Sequence, residues 1–215
     1  MGDTLNIAGI DGCRGGWVVA STDGVRVLPA LTFAGFDLVG IDMPIGLIDG
    51  PPRACDVEAR RYLRPRGSSV FPAPPRAALK CADYNTAVAF ARCATGRGIS
   101  RQTFNIMPKI AELDLLIDDS NQGCVIEVHP ECAFRALSAG EVLPSKKTGA
   151  GQAFRRRLLA DHFDLPSCVP SGAALDDVLD AYAVLWSTFR FLHGEHIVFG
   201  DGQRDERGLE MRIVC

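Results

Sequence analysis

The tripeptide Gly-Ile-Asp occurs twice near the start of the chain, each time at the end of a short apolar run. Residues 5–10 lead into Asp11, and residues 36–41 lead into Asp42. In open α/β sheets, functional side chains gather beyond the carboxyl ends of the parallel strands. If the two runs are neighbouring parallel strands, Asp11 and Asp42 lie side by side. The pattern therefore predicts an α/β fold with an acidic site at one end of its sheet.

Turn signals divide residues 5–31 into three short strands. The turn GCRGG follows Asp11, the strand WVVAS comes next, and a DG turn separates it from VRVLPAL. Short strands joined by glycine-containing turns form hairpins. We therefore predict a three-stranded antiparallel meander, followed by a buried parallel strand within residues 36–47.

Residues 49–123 differ in character, and we predict that they form a mainly helical insertion. Helical spacing follows the prolines of DGPPRACDVEARRYL and recurs over residues 83–95 and 102–118. The segment SSVFPAPPRAAL is predicted to be a proline-rich loop, because each proline removes a backbone donor. The basic residues of the insertion are Arg60, Arg61, Arg64, Arg66, Arg76, Arg97, Arg101 and Lys109. With this insertion included, residues 1–215 fit a single domain.

The remainder of the chain returns to α/β patterning. CVIEVHPE (124–131) predicts a strand broken by Pro130, and SKKTGAGQAFRRRLLADHF predicts a helix after its glycines. GAALDDVLDAYAVLWSTFRFL has the clearest helical periodicity in the chain. HIVFG and GLEMRIVC are predicted to form a C-terminal hairpin.

A third acidic residue, Glu127, lies inside the apolar run VIEV, where an uncompensated carboxylate is costly. Acids on three core strands repel one another unless a positive charge neutralises them. Mg²⁺ and Mn²⁺ prefer oxygen ligands and are the natural compensating ions. We therefore predict a divalent metal site formed by Asp11, Asp42 and Glu127.

The last helix contributes further acids near its start, at Asp176, Asp177 and Asp180. Pairs three or four residues apart share one face of a helix. The helix dipole alone accounts for aspartates in a first turn. Asp180 lies deeper and precedes the small residue Ala181, which permits a close helix–sheet approach. Asp180 is therefore the predicted metal ligand of this helix, and whether Asp176 or Asp177 accompanies it stays open.

Bulk properties exclude several classes of protein. The net charge of −3 gives no overall basic field for nucleic acid, although a local basic groove remains compatible with it. No apolar run is long enough for a membrane span and no export signal precedes residue 12, so we expect a cytoplasmic protein without a membrane partner. The 8 cysteines contain no CxxC pair. They are interpreted as small buried hydrophobic residues rather than zinc ligands.

Long stretches of the chain resemble a widespread bacterial and archaeal domain-of-unknown-function family whose members are described as predicted ribonuclease H-like nucleases. The segments that carry the resemblance span Gly9 to about Trp186: GIDGCRGGW, GIDMPIGL, CDVEARRYLRPRGSSVFPAPPRAAL, SRQTFNIMPKI, EVHPE and LDDVLDAYAVLW. The resemblance implies the ribonuclease H-like fold, a mixed five-stranded sheet of order 3-2-1-4-5 flanked by helices. It makes the strands of Asp11, Asp42 and Glu127 neighbours.

The last helix is also similar to that of Holliday junction resolvases, in which two acids three residues apart precede an alanine. Asp177, Asp180 and Ala181 match that spacing. The similarity implies that Asp177 and Asp180 belong to the same catalytic set.

These observations together predict a metal-dependent phosphodiesterase that cuts RNA or DNA. Its catalytic residues are Asp11, Asp42, Glu127, Asp177 and Asp180. Arg14, Arg76, Lys109 and Lys146 are the candidate substrate-binding residues, since cations meet phosphates. The clusters at residues 60–61 and 155–157 are either part of this set or a solvated basic face.

Two alternatives stay open. One is an actin-like nucleotide-dependent phosphoryl transfer, which uses the same fold but ordinarily needs two such domains. The other is a binding or regulatory protein of this fold without catalysis. The sequence leaves the oligomeric state undetermined.

Overall fold

The computed structural model describes residues 5–215. Within this range the α-helices and strands are β1 (Ile7–Cys13), β2 (Gly16–Ser21), β3 (Gly24–Leu28), β4 (Leu38–Ile41), α1 (Ala54–Tyr62), α2 (Tyr84–Thr95), α3 (Arg101–Leu116), β5 (Val125–Glu127), α4 (Pro130–Leu137), α5 (Gly149–Ala160), α6 (Leu175–Leu192), β6 (Val198–Phe199) and β7 (Ile213–Val214). None of the described helices combines the length and the apolar character that a bilayer crossing requires.

Five strands form one mixed sheet in the order β3-β2-β1-β4-β5. The first three strands form an antiparallel meander, whereas β4 runs parallel to β1 and β5 runs parallel to β4. The predicted α/β fold, including its strand order, is confirmed. β6 and β7 form a separate two-stranded sheet.

The chain divides into two compact units. The first comprises residues up to Asp42, Cys124–Ile197 and Val214–Cys215, and it contains the five-stranded sheet with α4, α5 and α6. The second comprises Met43–Gly123 and Val198–Ile213, and it contains α1, α2 and α3. The proline-rich segment within it is not entirely loop, because Arg76–Lys80 form a short 3-10 helix that starts after Pro75.

The core of the first unit lies between the sheet and α6. Of the fifteen buried side chains in this core, all but Leu143 come from the sheet and from α4, α5 and α6, and the contribution of α6 includes Val178, Leu179, Tyr182 and Leu185. Phe134 of α4 belongs to the same cluster. This is the apolar face that the periodicity of the last helix predicts.

The glycines of the two Gly-Ile-Asp tripeptides let α6 pack closely on the sheet, against helix backbone at Gly9 and against helix side chains at Gly40. A Cβ atom on Gly9 would lie 2.2 Å from the backbone nitrogen of Leu185 and 2.3 Å from the carbonyl oxygen of Ala181. On Gly40 it would lie 2.1 Å from Oγ1 of Thr188. Gly9 and Gly40 are paired across the parallel β1–β4 register, so together they form a flat path for the helix.

We expect Gly9→Ala to destabilise the protein severely, because the new methyl group meets helix backbone that cannot move aside. Overpacking typically costs about 1–3 kcal/mol, and a contact this close to helix backbone belongs at the upper end of that range. Gly149→Ala is the matched control, since a Cβ at that helical position meets nothing within 4 Å. Urea unfolding of both variants measures the difference, and equal stabilities would contradict the close packing of α6.

Candidate functional site

The strand register places Asp11 and Asp42 at the same level of the sheet. Ile10 pairs with Ile41, and the backbone N–H of Asp42 donates to the carbonyl of Ile10 at 2.9 Å. Asp11 lies two residues beyond Gly9 on β1 and therefore faces the side of the sheet that α6 covers. Its Oδ1 accepts a hydrogen bond of 2.7 Å from the backbone N–H of Gly12.

Asp180 reaches the same place from α6. It lies one residue before Ala181, whose carbonyl is in contact range of Gly9, so the close helix–sheet approach carries it to the end of β1. Its exposed fraction is only 4%. Three aspartates from two strand ends and one helix are thus gathered in the first unit.

A lysine enters this acidic cluster from the loop before α5. Lys146 Nζ lies 2.7 Å from Oδ2 of Asp180, and the lysine side chain remains 38% exposed. The loop is compact because Oγ1 of Thr148 donates to the carbonyl of Ser145 and accepts from the N–H of Gly151. A Cβ on Gly151 would lie 1.9 Å from that same carbonyl, so only glycine fits there.

A buried ion pair supports the loop. Arg155 is 1% exposed, and its Nη2 donates to both carboxylate oxygens of Glu131 at 2.8 and 2.9 Å. Its Nη1 donates to the carbonyl of Pro144, two residues before Lys146. The pair therefore ties α5 and α4 to the segment that carries the lysine.

Burial and like charge shift the titration of the three aspartates. Burial, followed by the charges of Asp42 and Asp180, raises the pKa of Asp11 well above its usual range. Burial together with the charge of Asp180 raises the pKa of Asp42 to about 8. Burial also raises the pKa of Asp180, although Lys146 opposes that shift.

Lys146 stays charged in this setting. Burial favours its neutral amine, but the charge of Asp180 and the hydrogen bond to it outweigh burial and raise the lysine pKa above its ordinary value. One ammonium does not balance three aspartates. The cluster must therefore hold protons or bind a further cation.

One oxygen of the cluster has no partner. Oδ1 of Asp180 is buried and makes no hydrogen bond with any part of the chain that the structure describes. A buried acceptor left in this state is costly unless a ligand satisfies it. In the described residues, however, no three His, Cys, Asp or Glu side chains are already arranged as a metal site. The fit to a divalent ion rests on the all-oxygen donors and on this unsatisfied atom.

The strand register directs Glu127 away from Asp11, whereas the sequence predicts that the two carboxylates share one metal site. Glu127 pairs with Ile41, which in turn pairs with Ile10. Because side chains alternate along strands, Glu127 faces the side of the sheet opposite to Asp11. Its charge still raises the pKa of Asp42, so it lies near the cluster. Its role as a ligand stays a prediction.

The other two aspartates of α6, Asp176 and Asp177, lie in its first turn and are more exposed than Asp180. Oδ2 of Asp177 accepts the backbone N–H of Ala174 at 2.8 Å, which is the hydrogen bond expected of an acid in a first turn. Its charge also acts on Asp11, so Asp177 borders the cluster. Both Asp176 and Asp177 are partly exposed. Among the two candidates to accompany Asp180, the electrostatics favour Asp177.

The predicted substrate-binding residues fall in both units. Arg14 is exposed in the turn after β1, and this turn is held by a 2.8 Å bond from Gly15 N–H to the carbonyl of Gly172. Lys109 lies on α3 of the second unit and is partly exposed. Arg76, also in the second unit, is bonded to Asp114 and to the buried Asp205, which ties it into the interior network of that unit.

The second unit contains a cavity of about 180 Å³. Prolines 51, 52, 72, 74 and 75 form much of its wall. The one buried charged side chain in the lining, Arg53, is paired with Asp56 and bonded to the carbonyl of Ile45. The cavity thus has little polar chemistry to offer, and the aspartate cluster of the first unit is the stronger candidate site.

The buried ion pair of Glu131 and Arg155 is not among the features that the sequence predicts. The sequence predicts that the basic cluster at residues 155–157 either binds substrate or forms a solvated face, whereas the structure buries Arg155. A signal was present, because the buried residues of α5 are Gly151, Arg155 and Leu159, spaced by four. That spacing indicates an inward-facing arginine, which requires a buried acid as its partner.

The raised aspartate pKa values predict that the metal-free protein loses stability as pH rises. The folded state binds more protons than the unfolded state between about pH 4 and pH 8, so the free energy of unfolding falls across this window, by up to about 1.4 kcal/mol per pH unit for each proton. Asp42→Asn should flatten this slope and be more stable than the wild type at pH 8. Unfolding curves recorded in a chelator at several pH values measure it.

Asp176→Asn is the control for that experiment and should retain the wild-type slope. If the wild type and Asp42→Asn lose stability equally as pH rises, Asp42 does not hold a proton in the folded state.

Comparison with known proteins identifies the family but no activity. A family described as "Protein of unknown function (DUF429)" matches residues 9–204, which cover the aspartate cluster and most of both units. No curated protein and no solved structure matches the chain. The match extends over far more than half of the sequence, and the chain belongs to this family of proteins of unknown function.

Proposed function

We propose that the chain is a divalent-metal-dependent phosphodiesterase whose active site is the cluster of Asp11, Asp42 and Asp180. The observation that carries the proposal is the unsatisfied Oδ1 of Asp180, buried among acids whose pKa values are raised by burial and mutual repulsion. Perturbed acids of this kind concentrate at functional sites. The strand order 3-2-1-4-5 supports it too, since it is the order that the resemblance to ribonuclease H-like nucleases implies.

The donor set suits Mg²⁺ or Mn²⁺. Asp11, Asp42 and Asp180 offer only carboxylate oxygens, which are the ligands these ions prefer. A divalent ion bound there supplies charge neutralisation for a phosphodiester and makes a water molecule more acidic. Glu127 modulates Asp42 from the other face of the sheet, and Asp177 borders Asp11.

The cations next to the cluster support a phosphate-containing substrate. Arg14 is exposed in the turn that follows Asp11, and Lys146 presents part of its side chain to solvent. Arginine binds phosphate oxygens through paired donors. RNA or DNA is the substrate class we propose, with Arg14 contacting its backbone.

Asp11→Asn and Asp180→Asn should each weaken Mn²⁺ binding in calorimetry and lower metal-dependent cleavage of an oligonucleotide. We expect a loss of at least tenfold for Asp180→Asn, which corresponds to about 1.4 kcal/mol in the barrier. Single-turnover rates at saturating Mn²⁺ separate chemistry from product release. Asp176→Asn is the matched control on the same helix and should lose much less. Unchanged Mn²⁺ isotherms in both cluster variants would exclude the proposed site.

Arg14→Ala should weaken oligonucleotide binding and reduce the slope of log affinity against log salt by about one, because one phosphate contact is removed. Arg26→Ala, which changes an exposed arginine on β3, is the control and should leave the slope unchanged. Filter binding at several salt concentrations measures both. An identical slope in Arg14→Ala would place the phosphate contacts elsewhere.

A further inference from the structure

We propose that Lys146 acts as a fixed internal cation of the aspartate cluster, so that the cluster binds one divalent ion and not a pair. The inference rests on the proposed function and deepens it by assigning the number of ions. It concerns the first unit alone, where the three aspartates and the lysine all lie.

The ammonium of Lys146 is built into the cluster. The Thr148 hydroxyl donates a hydrogen bond to the carbonyl of Ser145. The absence of a side chain at Gly151 allows the first turn of α5 to pack against that same carbonyl. Arg155 donates to the carbonyl of Pro144. Arg155 is itself fixed by two bonds to Glu131. A lysine that only covered a solvated surface would not need this support. The structure holds its Nζ against Oδ2 of Asp180 at 2.7 Å.

The carboxylate oxygens that are already used limit the space for ions. Oδ2 of Asp180 is occupied by the ammonium, and Oδ1 of Asp11 accepts the N–H of Gly12. Oδ1 of Asp180 is the atom left without a partner. Two divalent ions in an enzyme site are roughly 3.5–4 Å apart and repel each other strongly, so acids must lie between them. Asp180 has only Oδ1 to offer to metal while its other oxygen holds Lys146.

The formal charges lead to the same number. Asp11, Asp42 and Asp180 carry three negative charges when ionised, and Lys146 removes one of them. The remaining two match a single divalent ion, and Asp177 is left out of the count because its Oδ2 already accepts the backbone N–H of Ala174 at the start of α6. Glu131 does not alter the count, because Arg155 neutralises it. Glu127 faces the other side of the sheet by the register of β4 and β5.

Counting the bound ions per chain tests whether Lys146 limits the cluster to one divalent ion. The 215-residue chain, freed of metal with a chelator, is dialysed against Mn²⁺ alone, and the bound metal per chain is measured by atomic emission and by calorimetry. We expect one equivalent for the wild type and a second equivalent for Lys146→Met, since the variant has lost the internal cation. Lys147→Met changes the neighbouring exposed lysine and should bind one equivalent.

Each outcome separates this inference from the proposed function. Two equivalents in the wild type, or only one in Lys146→Met, overturn the role of Lys146 while leaving a metal site in place. No uptake by the wild type, or uptake that survives Asp180→Asn unchanged, overturns the proposed function itself. Lys146→Gln repeats the measurement with a second neutral side chain, and circular dichroism identifies the variant that retains the fold if one of them does not.

Discussion

The contact between α6 and the two paired glycines of the central strands is the constraint on which the rest of the first unit depends. Backbone atoms of the helix occupy the space that a side chain at Gly9 would fill, and the side chains of Thr188 and Val184 occupy that space at Gly40. This close packing of α6 on the sheet places Asp180 at the ends of β1 and β4. Asp11 and Asp42 lie there at the same level of the sheet. Each Gly-Ile-Asp tripeptide therefore combines three roles: a glycine for the helix, an isoleucine for the core and an aspartate for the cluster.

Bringing three aspartates together is unfavourable because their charges repel one another. Two sets of residues compensate for this repulsion. Lys146 is bonded to Asp180, and behind it Arg155 and Glu131 hold the loop from which the lysine extends. Buried ion pairs are poor sources of stability, since apolar residues of similar volume often do as well or better. An arrangement of six charged residues that still leaves one carboxylate oxygen unsatisfied is therefore better explained by ligand binding than by folding.

The sequence was sufficient for the sheet and for part of the site. The periodicity of apolar residues and the positions of turn residues predicted β1 to β4 and α6. The positions of Asp11 and Asp42 followed from their place at the carboxyl ends of parallel strands. Register was harder, because a shift of one residue turns a side chain to the other face, and this is why Glu127 was grouped with Asp11. Contacts distant in sequence, such as those of Lys146 with Asp180 and of Arg155 with Glu131, have no local signature beyond the spacing of α5.

An anomalous difference map from a crystal soaked in Mn²⁺ would show directly whether the three aspartates bind a divalent ion. We expect a peak in the first unit that is bounded by Asp11, Asp42 and Asp180, at roughly 2.1 Å from Oδ1 of Asp180 as expected for carboxylate coordination of a small divalent ion. A well-ordered crystal with no peak at these three aspartates, or with its Mn²⁺ bound only at other residues, would contradict it.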